Sequence, residues 1–255
     1  GDALMPFITP VPSSRFSLGI MGAPNHGKTR SLRTLPTPCC IVSMPGEGGG
    51  ATLPMGQEGF TVFQWQDPNV AVANWAGIRD EVKKLMTEIL TGKHGTFVYL
   101  ALDGMHKYYA VHHNVIAHAL YGADALKLDF RKVAPPANKA FFYDVQLWKA
   151  HAPPLFVMTY WVSLKAEDPT DEDSPQHLFP ALSGKAGEQI VGECDGTVHA
   201  YRQGVGPAAK YVWGTQPTPK VWGVGIKGDP AIVDKIPSVI PQDWNVLAKY
   251  LRGQP

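Results

Sequence analysis

Four short apolar runs recur along the chain, each bounded by glycine, proline or polar residues. They cover residues 15–21, 39–44, 96–103 and 154–162. Continuous apolar runs of this length are typical of strands buried on both faces, as in a parallel sheet that is covered by helices. The pattern therefore predicts a mainly parallel sheet at the centre of the molecule.

The segments around these runs follow other periods. Apolar residues in 72–91 recur at helical spacing, and 104–150 is predicted to be mostly helical, with an interruption at Pro135-Pro136. Residues 197–226 alternate as strands do, which predicts a β-hairpin-rich C-terminal edge. The acidic, proline-containing segment 165–176 is predicted to be a loop. These elements together indicate an α/β fold with helices flanking the sheet.

The residues after the first apolar run carry the strongest chemical signal. The sequence "GAPNHGKT" places two glycines five residues apart and continues with a lysine and a threonine. This is the phosphate-binding pattern G-x-x-x-x-G-K-[ST], and it lies between a predicted strand and a predicted helix, as that loop requires. The predicted nucleotide-binding residues are Gly22, Ala23, Pro24, Asn25, His26, Gly27, Lys28, Thr29 and Arg30.

Each residue type in this loop has a physical reason. Glycines let successive backbone N–H groups point at an anion, and the following helix N-terminus adds a partial positive charge. The ammonium of Lys28 can reach the β- and γ-phosphates, and the hydroxyl of Thr29 can hold Mg²⁺. ATP and Mg²⁺ are therefore the predicted cofactors.

Carboxylates end or follow two of the other predicted strands. Asp103 is the last residue of the run 96–103, at the sheet edge where open α/β sheets bind ligands. We expect it to join Thr29 in the Mg²⁺ shell, directly or through water. Glu47 follows the run 39–44 in a glycine-rich turn, from which it could accept a proton from an attacking water.

The fourth strand ends in two hydroxyl-bearing residues. Either Thr159 or Tyr160 could contact the γ-phosphate or its water, or both could simply pack. Thr159 is the candidate that we place in the catalytic set with Glu47 and Lys28.

Composition restricts the partners. Only 18% of residues are charged and the net charge is +1, so nucleic-acid binding would need a local basic patch. The three cysteines do not form a disulfide framework, which favours a reducing cytoplasm. The sequence contains no apolar run long enough to span a membrane, and no membrane partner is expected.

Two further clusters have ordinary explanations. His106, His112, His113 and His118 lie at spacings that do not suit a metal site, and surface or partly buried helix histidines are the favoured interpretation. The segments "KLDFRKV" and "NKAFFYD" place aromatic residues beside basic ones, as a strand-stacking surface would, but amphipathic packing is the favoured interpretation there.

Several segments together resemble a known family. They are the loop "GAPNHGKT", the segment "NKAFFYDVQLWKAHAPPLFVMTYW", the element "FPALSGKAGEQIVGECDGTVHA" and the tail "GIKGDPAIVDKIPSVIPQDWNVLAKYL". The chain is similar to compact RecA-like P-loop ATPases encoded by bacteriophages, some of which assist single-strand annealing. The resemblance extends over about residues 15–251, within a single predicted domain of residues 1–255.

This resemblance implies a RecA-like fold and a Mg²⁺-dependent ATPase that acts on DNA in recombination, annealing or replication. It implies single-stranded DNA as a partner, a homo-oligomer in a ring or filament, and a location in the host cytoplasm. In such assemblies a basic residue can reach the γ-phosphate of a neighbouring subunit, and Lys185 is the candidate for that contact.

The sequence leaves two alternative functions open. One is a packaging or remodelling motor built on the same core. The other is a nucleotide-binding assembly or structural protein with weak or no ATPase activity. The near-neutral charge and the Thr-Tyr-Trp segment at the sensor position, where relatives carry a clear Gln or His, keep this second alternative open.

Overall fold

A central sheet and a separate hairpin make up the β-structure of the described residues. The computed structural model describes residues 15–47, 52–65, 74–122, 129–166, 174, 176–183 and 185–253. The strands are β1 (Phe16–Met21), β2 (Cys39–Ser43), β3 (Phe60–Gln64), β4 (Tyr99–Asp103), β5 (Leu155–Tyr160), β6 (Val162–Ala166), β7 (Gln176–Pro180), β8 (Gly196–Gln203), β9 (Lys210–Gly214), β10 (Gly225–Ile226) and β11 (Val239–Pro241).

Within the described ranges, the sheet has nine strands in the order β11-β9-β8-β1-β5-β4-β2-β3, with β10 paired to β8. The strands from β8 to β3 in this order are parallel, whereas β9, β10 and β11 pair antiparallel at the C-terminal edge. The predicted α/β class, with a mainly parallel sheet and a hairpin-rich edge, is therefore confirmed. Strands β6 and β7 form an antiparallel hairpin outside this sheet.

Helices cover both faces of the sheet. Side chains alternate along each strand, so Leu100 and Leu102 pack on one face while Tyr99 and Ala101 pack on the other. The helices in the described residues are α1 (Lys28–Ser31), α2 (Trp75–Leu90), α3 (Met105–Tyr121), α4 (Phe130–His151), α5 (Ala186–Glu193), α6 (Pro230–Val233) and α7 (Trp244–Leu251). The first face is covered by α2, α3, α4 and α5, and the second by Leu32 just after α1 and by α7.

The predicted interruption at Pro135-Pro136 is wrong, because α4 runs continuously through both prolines. Both prolines are exposed, so the carbonyl groups that lose their N–H partners can be hydrated instead. Val133, Ala137 and Phe141 are fully buried at a spacing of four residues. This apolar stripe holds the helix against the sheet on both sides of the prolines.

Two other predicted segments extend beyond the described residues, and the predicted loop also differs from the structure at its ends. Helix α2 begins at Trp75, where Asn74 caps it by accepting a hydrogen bond from the Gly77 backbone N–H at 2.9 Å. The predicted start at 72–73 lies outside the described residues. Of the predicted loop 165–176, the two ends belong to β6 and β7, and most of the remainder lies outside the described residues. The single-domain interpretation stays a prediction.

A buried carboxylate joins three of the helices. The side chain of Asp144 on α4 is 2% exposed. It accepts a hydrogen bond from the Tyr108 hydroxyl at 2.7 Å, and it lies 3.0 Å from His112 Nε2 and 2.9 Å from Lys83 Nζ. Burial opposes ionisation, but these donors outweigh it and hold the pKa of Asp144 below its ordinary value. The carboxylate therefore stays charged and connects α2, α3 and α4.

Replacing Asp144 with alanine should lower the free energy of unfolding by about 3 kcal/mol, because it leaves a buried hydroxyl and a buried imidazole without their partner. Chemical denaturation measures this change. Asp80→Ala is the matched control: its carboxylate is 63% exposed and pairs with Arg79 on the surface, so about 0.5 kcal/mol or less is expected. Equal effects of the two substitutions would contradict the assigned role of Asp144.

Candidate functional site

The loop between β1 and α1 lies at the carboxyl edge of the sheet, beside β5 and β8. Two of its glycines are required because other atoms lie too close to the backbone for a side chain. At Gly22, a Cβ atom would lie 2.4 Å from the Ala200 carbonyl oxygen on β8. Gly27 has φ 86°, and a Cβ atom there would lie 2.4 Å from Gln242 Oε1 and 2.7 Å from Tyr211 Cδ1. The loop therefore follows a path that only glycine allows at these two positions.

Residues from the C-terminal edge of the sheet contact this loop and the start of α1. Gln242 donates from Nε2 to the carbonyl oxygens of His26 at 2.8 Å and Val212 at 3.0 Å. The Arg30 guanidinium lies over the Tyr211 ring, 4.9 Å from its centre. Nothing in the local sequence pattern points to Gln242 or Tyr211, because both lie far along the chain from the loop.

Lys28 is the buried cation of the site, with 7% of the residue exposed. Its Nζ donates hydrogen bonds to the carbonyl oxygens of Gly22 and Ala23, each at 2.9 Å. Burial lowers the pKa of Lys28, and the nearby carboxylates Glu47 and Asp103 oppose this shift. The ammonium thus lies inside the loop, where a bound phosphate would offer it a full negative charge.

Asp103 links three segments at the edge of the sheet. It is 1% exposed and accepts a hydrogen bond from the Thr159 hydroxyl at 2.6 Å. It also accepts one from the Thr29 hydroxyl, at 2.9 Å to Oδ2. The Gly104 backbone N–H donates to Thr159 Oγ1 at 2.9 Å, so the Thr159 hydroxyl must donate its own proton to Asp103. Thr29 and Thr159, two of the predicted site residues, therefore meet at the carboxylate of a third, Asp103.

Burial raises the pKa of Asp103, against the hydrogen bonds from Thr159 and Thr29 and the charge of Lys28. A carboxylate that is so poorly hydrated is stabilised by any cation brought beside it. Asp103 and the hydroxyl of Thr29 are oxygen ligands of the kind that Mg²⁺ prefers, and they lie next to the phosphate-binding loop. This donor set fits a Mg²⁺ ion bound with a nucleotide.

Glu47 lies across the cavity from the loop. Its side chain is 11% exposed and its Oε2 atom is buried without a hydrogen-bond partner. Burial and the charge of Asp103 raise the pKa of Glu47 to about 7, although Lys28 and Lys107 act in the opposite direction. A carboxylate with such a pKa is basic enough to accept a proton near neutral pH.

The loop, Glu47 and two aromatic rings enclose a cavity of about 460 Å³. Its walls include Lys28 and Thr29 from the loop, Trp161 after β5, and Tyr211 from β9. This volume is within the usual range for small-molecule sites. Trp161 and Tyr211 were not anticipated from the sequence, since no motif marks them.

Other predicted residues lie outside this cavity. Tyr160 is 1% exposed and its hydroxyl contacts the Met158 sulfur, so of the two sensor candidates only Thr159 joins the site. Lys185 is exposed at the start of α5 and does not line the cavity. Within the described ranges, no group of three or more His, Cys, Asp or Glu side chains could hold a metal ion by itself.

Comparison with known proteins does not assign the chain to a family. No protein-family model and no curated protein matches its sequence. Among solved structures, it is similar to the KaiC-like protein PH0186 from the hyperthermophilic archaeon Pyrococcus horikoshii OT3, at 10% identity over 78% of each chain and a TM-score of 0.42. None of the helices in the described part of the chain is long and apolar enough to cross a membrane.

Replacing Lys28 with alanine should weaken ATP binding by at least about 30-fold, because a charge-assisted contact to phosphate contributes about 2 kcal/mol or more. Titration calorimetry measures the affinity. Lys84→Ala, which removes an exposed lysine on α2, is the control and should bind as the parent does. Equal affinity in the Lys28 variant and the parent would rule out the loop as a phosphate site.

Proposed function

We propose that this protein is a RecA-like P-loop ATPase that binds ATP·Mg²⁺ and hydrolyses it. One observation supports this above the others: the buried Asp103 accepts hydrogen bonds from Thr29 and Thr159 directly beside the phosphate-binding loop. A glycine-rich loop alone could be a structural turn. A loop followed by a threonine that reaches a buried carboxylate has the donors for both a phosphate and its metal ion.

We assign the roles of the residues from their positions. Backbone N–H groups of the loop and the Lys28 ammonium bind the β- and γ-phosphates, and Thr29 with Asp103 holds Mg²⁺. A Mg²⁺ ion held there would neutralise charge on the phosphate oxygens. Thr159 orients Asp103, and Glu47 accepts the proton of the attacking water from its position on the same cavity.

The nucleoside part of the ligand has space next to the loop. A second cavity, of about 820 Å³, shares Arg30 and Tyr211 with the first and is also lined by Arg202. The Arg202 guanidinium lies 5.7 Å from the centre of the Tyr211 ring. We assign the ribose and base to this side, where an aromatic ring and two guanidinium groups are available for stacking.

Replacing Glu47 with glutamine should leave ATP·Mg²⁺ affinity unchanged within about threefold but slow hydrolysis at least about 100-fold. Glutamine keeps the shape of the side chain and cannot accept the proton, and a general base typically contributes 10²–10⁴-fold to a rate. Phosphate release under single-turnover conditions measures the effect.

Glu58→Gln is the control for this substitution, since Glu58 is an exposed carboxylate away from the cavity. It should hydrolyse ATP at the parental rate. Parental turnover in the Glu47 variant would show that Glu47 is not the base. No turnover in the parent, with ATP still bound, would favour a nucleotide-binding assembly protein over an ATPase.

The sequence resemblance leads us to propose further that the protein works as a homo-oligomer on single-stranded DNA, in phage recombination, annealing or replication. The outer face of α4 has suitable chemistry for the DNA contact. Lys132, Lys139 and Tyr143 are exposed and recur at helical spacing on one face, and Tyr143 is 64% exposed. Basic side chains beside an exposed ring suit stacked bases and their phosphates. The exposed Lys185 is the candidate for a contact to the nucleotide of a neighbouring subunit.

A non-hydrolysable ATP analogue should promote self-association and binding to single-stranded DNA together. Tyr143→Ala should weaken DNA binding by about 1–3 kcal/mol through loss of base stacking. Lys139→Ala should reduce the slope of log affinity against log salt concentration by about 0.7, as expected for the loss of one phosphate contact. Sedimentation with and without the analogue, followed by DNA titrations at several salt concentrations, measures all three effects.

The control for the DNA contact is again Lys84→Ala, which removes a lysine from a different exposed helix face. DNA affinity that falls equally in the Lys84 and Lys139 variants would rule out a specific surface on α4. A parent that stays monomeric with nucleotide and does not bind DNA at low salt would contradict the DNA role and leave the ATPase proposal to its own test.

A further inference from the structure

His106 lies beside Glu47 and has no part in the site as described so far. It is in the first turn of α3, three residues after Asp103, and is 8% exposed. Its Nε2 atom lies 3.5 Å from Glu47 Oε2. Both atoms are buried, and neither has a hydrogen-bond partner of ordinary geometry. Two unsatisfied polar atoms that lie this close together, one of them on a residue that lines the cavity, call for a functional explanation.

The other ring nitrogen determines the tautomer of His106. The Trp161 backbone N–H donates to His106 Nδ1 at 3.4 Å, so Nδ1 carries the lone pair. Burial, reinforced by the charges of Lys107 and Lys28, lowers the pKa of His106 to about 3. The ring is therefore neutral near pH 7 and carries its proton on Nε2, which faces Glu47. The contact is a donor beside a carboxylate and not an ion pair.

The surroundings hold both side chains in place. The His106 ring stacks on Trp161, with ring centres 4.5 Å apart and an angle of 25° between the planes. The Lys107 ammonium lies 4.7 Å from the centre of the Trp161 ring. On the other side, a Cβ atom at Gly104 would lie 2.6 Å from Glu47 Oε2, so Glu47 packs directly on the backbone there.

We propose that His106 is a positioning residue that holds one oxygen of the Glu47 carboxylate, so that the other oxygen faces the attacking water. This inference rests on the proposed ATPase function. With the Nε2–H group facing Oε2 at 3.5 Å, Oε1 is left as the acceptor of the proton. His106 does not line the cavity itself, so its effect acts through Glu47.

Positioning of this kind affects the rate and leaves binding unchanged. A glutamate without a partner samples several rotamers, and misplacement of a reacting group by about 1 Å can cost about 10²-fold in rate. Loss of the His106 donor should therefore lower kcat, whereas KM for ATP should remain unchanged because the loop and Mg²⁺ ligands are intact.

The test compares two substitutions of His106, one that keeps an aromatic ring and one that keeps an N–H donor. His106→Phe keeps a ring on Trp161 but removes the donor, and it should lower kcat at least about tenfold with KM within twofold of the parent. His106→Gln loses the ring but keeps an N–H donor that reaches the Nε2 position, and it should restore kcat to within about threefold. His113→Phe, the same change elsewhere on α3, should behave as the parent.

A double substitution tests whether His106 acts through Glu47. In the Glu47→Gln background, His106→Phe should change the remaining rate by less than about twofold, since the carboxylate to be positioned is already absent. Independent, multiplicative losses would overturn the proposal. So would a His106→Phe variant with parental kcat, or a His106→Gln variant that is as slow as His106→Phe.

Nitrogen NMR of the histidine rings in the unmodified protein provides a measurement that requires no variant to fold. The proposal predicts the Nε2–H tautomer for His106 near pH 7, and the Nδ1–H tautomer or a charged ring would overturn it. If the parent binds ATP and does not hydrolyse it, the proposed function fails and this inference fails with it. If the parent hydrolyses ATP and the His106 variants match it, only the positioning role fails.

Discussion

The hydrogen bonds to the Asp103 carboxylate are the contacts on which the rest of the site depends. An unpaired carboxylate with 1% exposure would be strongly destabilising, so Asp103 needs donors from its neighbours. Thr29 and Thr159 supply them from α1 and from β5. Because the three residues come from separate segments, these bonds also fix the position of the phosphate-binding loop relative to the strands beside it.

The order of strands makes this arrangement possible. Strand β5 lies between β1 and β4, so the residue that follows the loop and the residue that ends β4 meet across the end of β5. Thr159 near that end fills the gap with a hydroxyl that accepts from Gly104 and donates to Asp103. Glu47 then approaches from beyond β2 and packs on Gly104. The candidate base, Glu47, and the candidate metal ligand, Asp103, are thus both positioned by the backbone at the end of β4, where Gly104 follows Asp103.

The sequence predicted the parts of this site that depend on local chemistry. The phosphate-binding pattern, Asp103 at the end of a strand and Glu47 after another are visible because each depends on a few adjacent residues. The contacts that support the loop are not visible in this way: Gln242 lies 216 residues from the His26 carbonyl that it binds. His106 was interpreted as an ordinary helix histidine, because its contact with Glu47 exists only after β2 and β4 have paired. The continuous path of α4 through Pro135 was missed because its buried stripe outweighs the lost hydrogen bonds.

The measurement that tests the central claim most directly is the affinity for ATP with Mg²⁺ and with EDTA, in the parent and in Asp103→Asn. If Asp103 and Thr29 form a metal-assisted nucleotide site, Mg²⁺ should increase the ATP affinity of the parent by about tenfold or more and have little effect in the variant. An ATP affinity of the parent that is the same with Mg²⁺ and with EDTA, or a Mg²⁺ effect that persists in Asp103→Asn, would contradict the account.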